Sequence, residues 1–227
     1  MTARLISYTK PVATDLLEND ITTILDLVAY VARVSNPGNQ YNSETSEKLI
    51  QYLIKHKHWS PLSMVDATIE IETTRDIGRQ ILRHWSFDFQ EFSQRYASVS
   101  DLGQMFELSE CRLQDTKNRQ NSIVPRKSIS YWFKSTFWNI SQHLLIAFVK
   151  LIYILALKVG IAKEVARKIL PEGLTITRMY MKGSIRDWIH YLALRTDNGT
   201  QKEHIHIARE IAKVLEEIFP IGQYITK

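Results

Sequence analysis

The sequence predicts an α+β fold. Alternation of period two is confined to two short stretches in the first third of the chain, and almost all other patterned residues recur at helical spacing. Strands set apart among long helices argue against regular βαβ repetition. With 227 residues, 44% of them hydrophobic, the chain can bury a substantial core, and no tether, repeat or low-complexity tract divides it. One domain over residues 1–227 is expected.

Taken in order, Arg4 to Tyr8 alternates as a first strand. Ile21, Ile24, Leu25, Val28 and Val31 then mark one face of an amphipathic helix that Asn36-Pro37-Gly38 terminates. A second helix runs from about Ser46 to Lys57 with Leu49, Ile50 and Leu53 inward, and Trp59-Ser60-Pro61 is turn-like. Ala67, Ile69 and Ile71 alternate with Thr68, Glu70 and Glu72, a strand with one wet face. Residues 76–85 return to helical character, 86–96 read as extended or irregular, and 97–130 are polar and weakly patterned, hence mostly loop. Helices follow from about Tyr131 to Gly160, Ala162 to Leu170 ahead of Pro171, Ser184 to Leu194, and Lys202 to Phe219 ahead of Pro220. The last carries an apolar line of Ile205, Ala208, Ile211, Leu215 and Ile218, which leaves His204 and His206 exposed.

The run Leu144 to Leu157 is apolar on every face except at Lys150. It is shorter than the roughly 20 residues a bilayer core requires, so it reads as a core or subunit-interface helix and no membrane partner is expected. The N-terminus carries no apolar stretch of signal-peptide length. A lone cysteine, Cys111, excludes an intramolecular disulfide and points to a reducing, cytoplasmic setting. No metal is expected: the His56/His58 and His204/His206 pairs face two directions, and no cysteine or acidic cluster completes tetrahedral ligation.

A formal charge of +5 attracts nucleic acid or a small anion equally well. The informative stretch is Gln80 to Tyr96. If its first part is helical, Arg79 and Arg83 share a face, with Gln80 and His84 on the adjoining one. If its second part is extended, Glu91, Ser93 and Arg95 point to one side. Guanidinium forks bind phosphate bidentately and a carboxylate accepts from a ribose hydroxyl, a mixture that suits a nucleotide monophosphate. A solvated helix with ordinary ion pairs gives the same pattern. So does a single-stranded nucleic-acid binder stacking bases on Trp85.

The run Arg83-His84, seven further residues after Trp85, then Ser93-x-Arg95-Tyr96 resembles the signature of flavin-dependent thymidylate synthases. The likeness extends to His56-Lys57-His58-Trp59-Ser60, to Val165-Ala166-Arg167 before Leu170-Pro171, and to Arg186-Asp187-Trp188-Ile189-His190 leading into Leu194-Arg195. It is strongest to the variants carried by large DNA viruses of algae. The resemblance implies a central, mostly antiparallel sheet flanked by long helices, in a homotetramer whose active sites lie between subunits. It implies reductive methylation of dUMP to dTMP with FAD, NADPH as reductant and methylenetetrahydrofolate as carbon donor. Carried over residue by residue, it puts Gln80, Arg83, Glu91, Ser93, Gln94, Arg95 and Arg167 at dUMP, and Arg195 over the uracil as the catalytic residue. His58, Ser60, Arg83, His84, Trp85, Gln90, Glu91, Ser184, Arg186 and His190 fall to FAD. Ser93 then serves as a positioning hydroxyl rather than a nucleophile, since no base is assigned to it.

The sequence departs from the family pattern at four places. Trp85 stands where the signature has a second arginine, Ser63 where many members have glutamate, and Gln90 and His190 where asparagine is usual, although the algal-virus variants share that histidine. An indole stacks but cannot neutralise charge, so weakened FAD binding is expected. A homologue that binds dUMP without catalysis is the alternative.

Overall fold

The computed structural model describes residues 1–126 and 128–225, except for the side chains of Gln223 and Ile225. Six strands and nine α-helices occur among them. The strands are β1 (Thr2–Tyr8), β2 (Asp66–Thr74), β3 (Asp88–Glu91), β4 (Leu113–Gln114), β5 (Ser122–Ile123) and β6 (Ile176–Ser184). The helices are α1 (Thr14–Glu18), α2 (Ile24–Ala32), α3 (Ser46–Lys55), α4 (Arg75–Ile81), α5 (Ile129–Lys158), α6 (Lys163–Ala166), α7 (Ile185–Arg195), α8 (Lys202–Glu216) and α9 (Gly222–Ile225).

The main sheet has strand order β1-β2-β6-β3, and every neighbouring pair is antiparallel. Its buried face is built by alternation. Ala67, Ile69 and Ile71 of β2 lie beside Gly183, Met181 and Met179 of β6, and all four of the larger side chains, Ile69, Ile71, Met179 and Met181, are solvent-free. Against this face pack Ile77 and Ile81 of α4, Trp188 and Leu192 of α7, and Ile207, Ile211 and Leu215 of α8. The opposite face is polar. There Arg4 pairs with Glu70, Arg178 with Glu72, and Lys182 with Asp66. Helices therefore cover one face of the sheet, where the sequence suggested flanking helices generally.

β6 is a finding rather than a confirmation, because the sequence pattern carries no element over 171–183. Its inward residues are Thr177, Met179, Met181 and Gly183, and its outward ones Arg178, Tyr180 and Lys182. Elsewhere the expected elements shift at their ends. α3 stops at Lys55, where Lys57 adopts a left-handed φ of 60° and His58 N–H closes onto Leu53 O at 2.8 Å. The helix expected over 76–85 ends at Ile81, and that over 202–219 at Glu216. The segment 97–130 is mostly loop, with a short 3-10 turn (Val99–Leu102) and the β4–β5 hairpin; Lys127, within it, lies outside the described residues.

α5 stands apart with a second, smaller core. Val149 and Tyr153 meet Val99, Met105, Phe106, Ala166 and Leu174. Gln142 is buried against Ser109, but much of the helix is bare: Phe133, Phe137, Leu144, Phe148 and Leu151 are each more than half exposed. It is long and apolar enough to cross a membrane by composition.

Candidate active site

The stretch after α4 is anchored so that its side chains diverge. Gly78 lets α4 lie directly on β6, because a Cβ there would come within 2.9 Å of Met179 Cε. Phe87 fills the space beside Gly183, where a Cβ would sit 2.4 Å from its ring, and meets Trp188 edge-on at 4.7 Å. Between these anchors His84 turns inward, its ring 4.8 Å from that of Tyr191, while Arg83 and Trp85 turn out and Trp85 is 94% exposed. The shared face expected for Arg79 and Arg83 does not form, since the helix has ended before Arg83.

His84 meets Arg195 at the last turn of α7. Arg195 Nε donates to His84 Nε2 at 2.9 Å. Burial, and the charges of Arg195 and Arg83, lower the imidazole pKa to about 4, so at neutral pH the ring is an uncharged acceptor and Arg195 keeps its remaining N–H groups for a ligand. Behind it, Tyr191 Oη lies 3.0 Å from His204 Nε2, His204 Nδ1 lies 3.2 Å from Gln80 Oε1, and Gln80 Nε2 donates to Gln201 Oε1 at 2.7 Å. His204 is thus fully buried, correcting the expectation that it is exposed: the inward line of α8 is His204, Ile207, Ala208, Ile211 and Leu215, which keeps Ala208, Ile211 and Leu215 of the expected line but opens on His204 and Ile207 in place of Ile205. A histidine with two polar partners substitutes for an apolar residue in that line.

Glu91 is already engaged. Its carboxylate receives the Thr177 hydroxyl at 2.9 Å and lies 3.5 Å from the buried Arg75 and 3.9 Å from Arg79, and both arginines also face Glu172. Gln90, paired in register with Tyr180, projects to the opposite, exposed face of β3. The two neighbours therefore cannot address a ligand from the same side. Nor do Glu91, Ser93 and Arg95 share one side, because β3 ends at Glu91 and the chain turns, with Tyr96 N–H donating to Ser93 O.

Arg95 and Arg167 come together. They line one cavity of about 340 Å³ with Glu164, Val165 and Lys168, and Arg95 Nε is 3.5 Å from Glu164. Gln94, next in the chain, is buried at 4% exposure, and its Nε2 has no hydrogen-bond partner. A buried orphaned amide donor is costly, which makes it a point where an acceptor from a ligand would be favoured. Ser93 is half-buried beside it.

The remaining residues gather at the start of α7. Ser184 caps that helix in a reciprocal capping box, its hydroxyl accepting from the Asp187 backbone N–H and donating to the Asp187 carboxylate. Arg186 leans on Asp187 at 3.1 Å, and His190 meets Trp59 edge-on at 4.5 Å, bringing His58 and Ser60, both exposed, to the same end of the molecule. Burial and the Arg186 charge lower the His190 pKa. Ser63 donates to Trp59 O, which holds this turn.

Sequence reasoning missed Arg75, Tyr191, His204 and Gln201. Tyr191 and His204 carried a usable signal, polar-tipped residues interrupting apolar helical lines; Arg75 and Gln201 carried none. A roomier cavity of about 580 Å³, bounded by Met1, Glu107, Trp138, Gln142, Leu174 and Glu203, contains none of the residues assigned from the sequence to dUMP or FAD.

These groups sit on an α+β protein with one antiparallel four-stranded sheet, and the class this fold and sequence define is settled by comparison with known proteins. A family model described as "Thymidylate synthase complementing protein" matches residues 16–221. The chain is 48% identical over 222 residues to a probable flavin-dependent thymidylate synthase of Paramecium bursaria Chlorella virus 1, covering 97% of this chain and 96% of that one. It is 46% identical over 224 residues to the flavin-dependent thymidylate synthase of Synechocystis sp., with the same coverages of 97% and 96%. Among solved structures it superposes on a UMP/dUMP methylase, PolB, from Streptomyces cacaoi bound with 5-Br dUMP, with a TM-score of 0.76 at 22% identity over 99% of this chain and 93% of that one, a likeness of fold. The chain belongs to the flavin-dependent thymidylate synthase family, and the likeness to algal-virus variants read from its motifs is met by the Chlorella virus protein.

Proposed function

We propose that this chain is a cytoplasmic FAD-dependent enzyme, one domain over 1–227, that methylates dUMP to dTMP with methylenetetrahydrofolate as carbon donor and NADPH as reductant. The observation that carries the reading is the convergence of Arg95 and Arg167, with Lys168, on one cavity: gathered cations suit a phosphate, and Gln94, next to Arg95 in the chain, keeps a buried amide donor without a partner. Ser93 and Arg83 complete that cradle. Gln80 offers an amide N–H to the nucleotide, and Glu91, neutralised by Arg75 and Arg79, orients the cradle rather than accepting from the sugar alone.

The residues toward the flavin fit it. His190 meets the half-buried Trp59 edge-on, His58 and Ser60 flank Trp59 in the chain, Arg186 lies one turn before His190 on α7, and Arg83 and Trp85 are exposed in the turn after α4. His84 acts through Arg195, and Gln90 and Ser184 support the strand and the helix start. When bound, the flavin supplies the hydride that turns the transferred methylene into a methyl. Arg195 stabilises the electron-rich uracil ring as negative charge develops on its carbonyls, and the neutral His84 holds the guanidinium without competing for its charge.

The same reading makes the enzyme a homotetramer with sites between subunits. Its support is α5, whose bare phenylalanines and leucines require a cover, and a second copy of this chain is the occupant. An active site assembled between copies also explains why the roomier cavity of a single copy misses the site residues. The test is product formation: dUMP, methylenetetrahydrofolate, NADPH and FAD together yield dTMP, and omitting any one stops it. Product without flavin, or none with all four, overturns the reading.

A further inference from the structure

Gln80 is held from behind by residues whose arrangement fixes which way its amide points. His204 on α8 is fully buried, and its only ring partners among the described residues are Tyr191 Oη at Nε2 and Gln80 Oε1 at Nδ1, at 3.0 and 3.2 Å. Burial, with the Arg195 charge adding to it, pushes the His204 pKa down to about 3, so the ring is neutral and carries a single N–H. Burial likewise pushes the Tyr191 phenol up, so it keeps its proton. Gln80 presents its carbonyl oxygen to Nδ1, an atom that can only accept, so Nδ1 carries the ring proton and donates it, and Nε2 is left to accept the Tyr191 hydroxyl. The Gln80 amide spends one N–H on Gln201 Oε1 at 2.7 Å, and one N–H remains.

We propose that His204 and Tyr191 are positioning residues that lock Gln80 as a hydrogen-bond donor to the nucleotide, so that the ligand atom it meets is an acceptor. This rests on the assignment of Gln80 to dUMP. An amide without the relay reverses its oxygen and nitrogen at little steric cost, and the carbonyl would then face the ligand's acceptor atom. The relay removes that alternative before the nucleotide arrives, so no binding energy is spent on reorientation. Arg195, a neighbour of both imidazoles, is donor-only by chemistry; Gln80 becomes donor-only by its surroundings.

The first test is ¹⁵N NMR of the full chain with FAD, labelled at histidine, with the His204 signals identified by their loss in His204→Leu. The expected result at pH 7 is a neutral ring protonated at Nδ1; protonation at Nε2 overturns the relay. The second test is equilibrium binding of dUMP, read beside flavin content. Tyr191→Phe and His204→Leu are expected to weaken dUMP binding about fivefold or more with flavin content unchanged. His204→Asn, whose amide N–H overlies Nδ1, is expected to recover most of that loss. Equal losses in His204→Leu and His204→Asn, or unchanged binding in Tyr191→Phe, overturn the inference. Should His204→Leu fail to fold, Tyr191→Phe, which removes a single oxygen, decides the binding arm and its tautomer spectrum the other. If the unaltered enzyme binds no dUMP, the functional reading itself fails, and the tautomer spectrum still reports separately on the relay.

Discussion

Arg195 and Arg95 are held in opposite ways although the same nucleotide is assigned to both. Arg195 is half-buried at the end of α7, its Nε fixed on a neutral imidazole at 2.9 Å, with Tyr191 and His204 closing the space behind. The Arg95 side chain is 58% exposed and reaches Glu164, itself 58% exposed, at 3.5 Å. The first is set by packing and a buried relay, so its direction is decided before any ligand binds. The second is an ion pair in water, which contributes at most about 1 kcal/mol and is exchanged readily for a phosphate. Catalysis draws on donors that need no reorganisation, whereas capture of the anion tolerates a mobile one.

Breaking the fixed arginine is expected to have the largest effect. Arg195→Ala should lower the rate of dTMP formation by on the order of 10²–10³-fold while FAD stays bound. Loss of the flavin with dUMP affinity untouched would reverse the ligand assignment. Arg95→Ala should act on capture instead, raising KM for dUMP about tenfold with kcat little changed; a fall in kcat alone, measured by initial rates, would erase the contrast between the two arginines.

The interior relay also has a pH signature. His204 titrates near its ordinary value of about 6.5 when unfolded and near 3 when folded, so below pH 6.5 the unfolded chain binds the extra proton. Stability from this group is fully present above pH 6.5 and is lost as the pH falls, by up to about 1.4 kcal/mol per pH unit. Denaturant titrations between pH 6.5 and 5 should therefore show a shallower decline in His204→Leu than in the parent. Identical slopes would mean the ring is not held neutral.

The smallest expected effect lies at the surface. Trp85, almost wholly exposed, offers no charge where the family signature has an arginine. Trp85→Arg should tighten FAD binding by a few-fold, the scale of a solvent-exposed ion pair; unchanged affinity in a fluorescence titration would show that the indole already does the work by stacking.

What the sequence made legible follows from contrast between neighbouring residues. Ile69 and Ile71 alternate with Glu70 and Glu72, so β2 is plain, whereas β6 alternates Thr177, Met179, Met181 and Gly183 with Arg178, Tyr180 and Lys182, and threonine, methionine and glycine mark a buried face weakly. The strand is stable because β2 and β3 flank it, information that is not local to it. At the site, the motif from Arg83 to Arg95 named the candidates, but not that Glu91 is already claimed by Arg75 and Thr177, or that Gln90 faces away. Those facts depend on where β3 stops and on which residue α4 presents across from it. His204 was misplaced because helical periodicity counts a histidine as polar, and only its contacts with Tyr191 and Gln80 make it an interior residue.

The most direct measurement is the visible spectrum of the purified protein, taken before and after NADPH and dUMP are added. A flavin band that travels with the protein and bleaches on that addition is the expected result. A colourless protein that binds no added FAD, or a band that NADPH leaves unchanged with dUMP present, would contradict the assignment of this site.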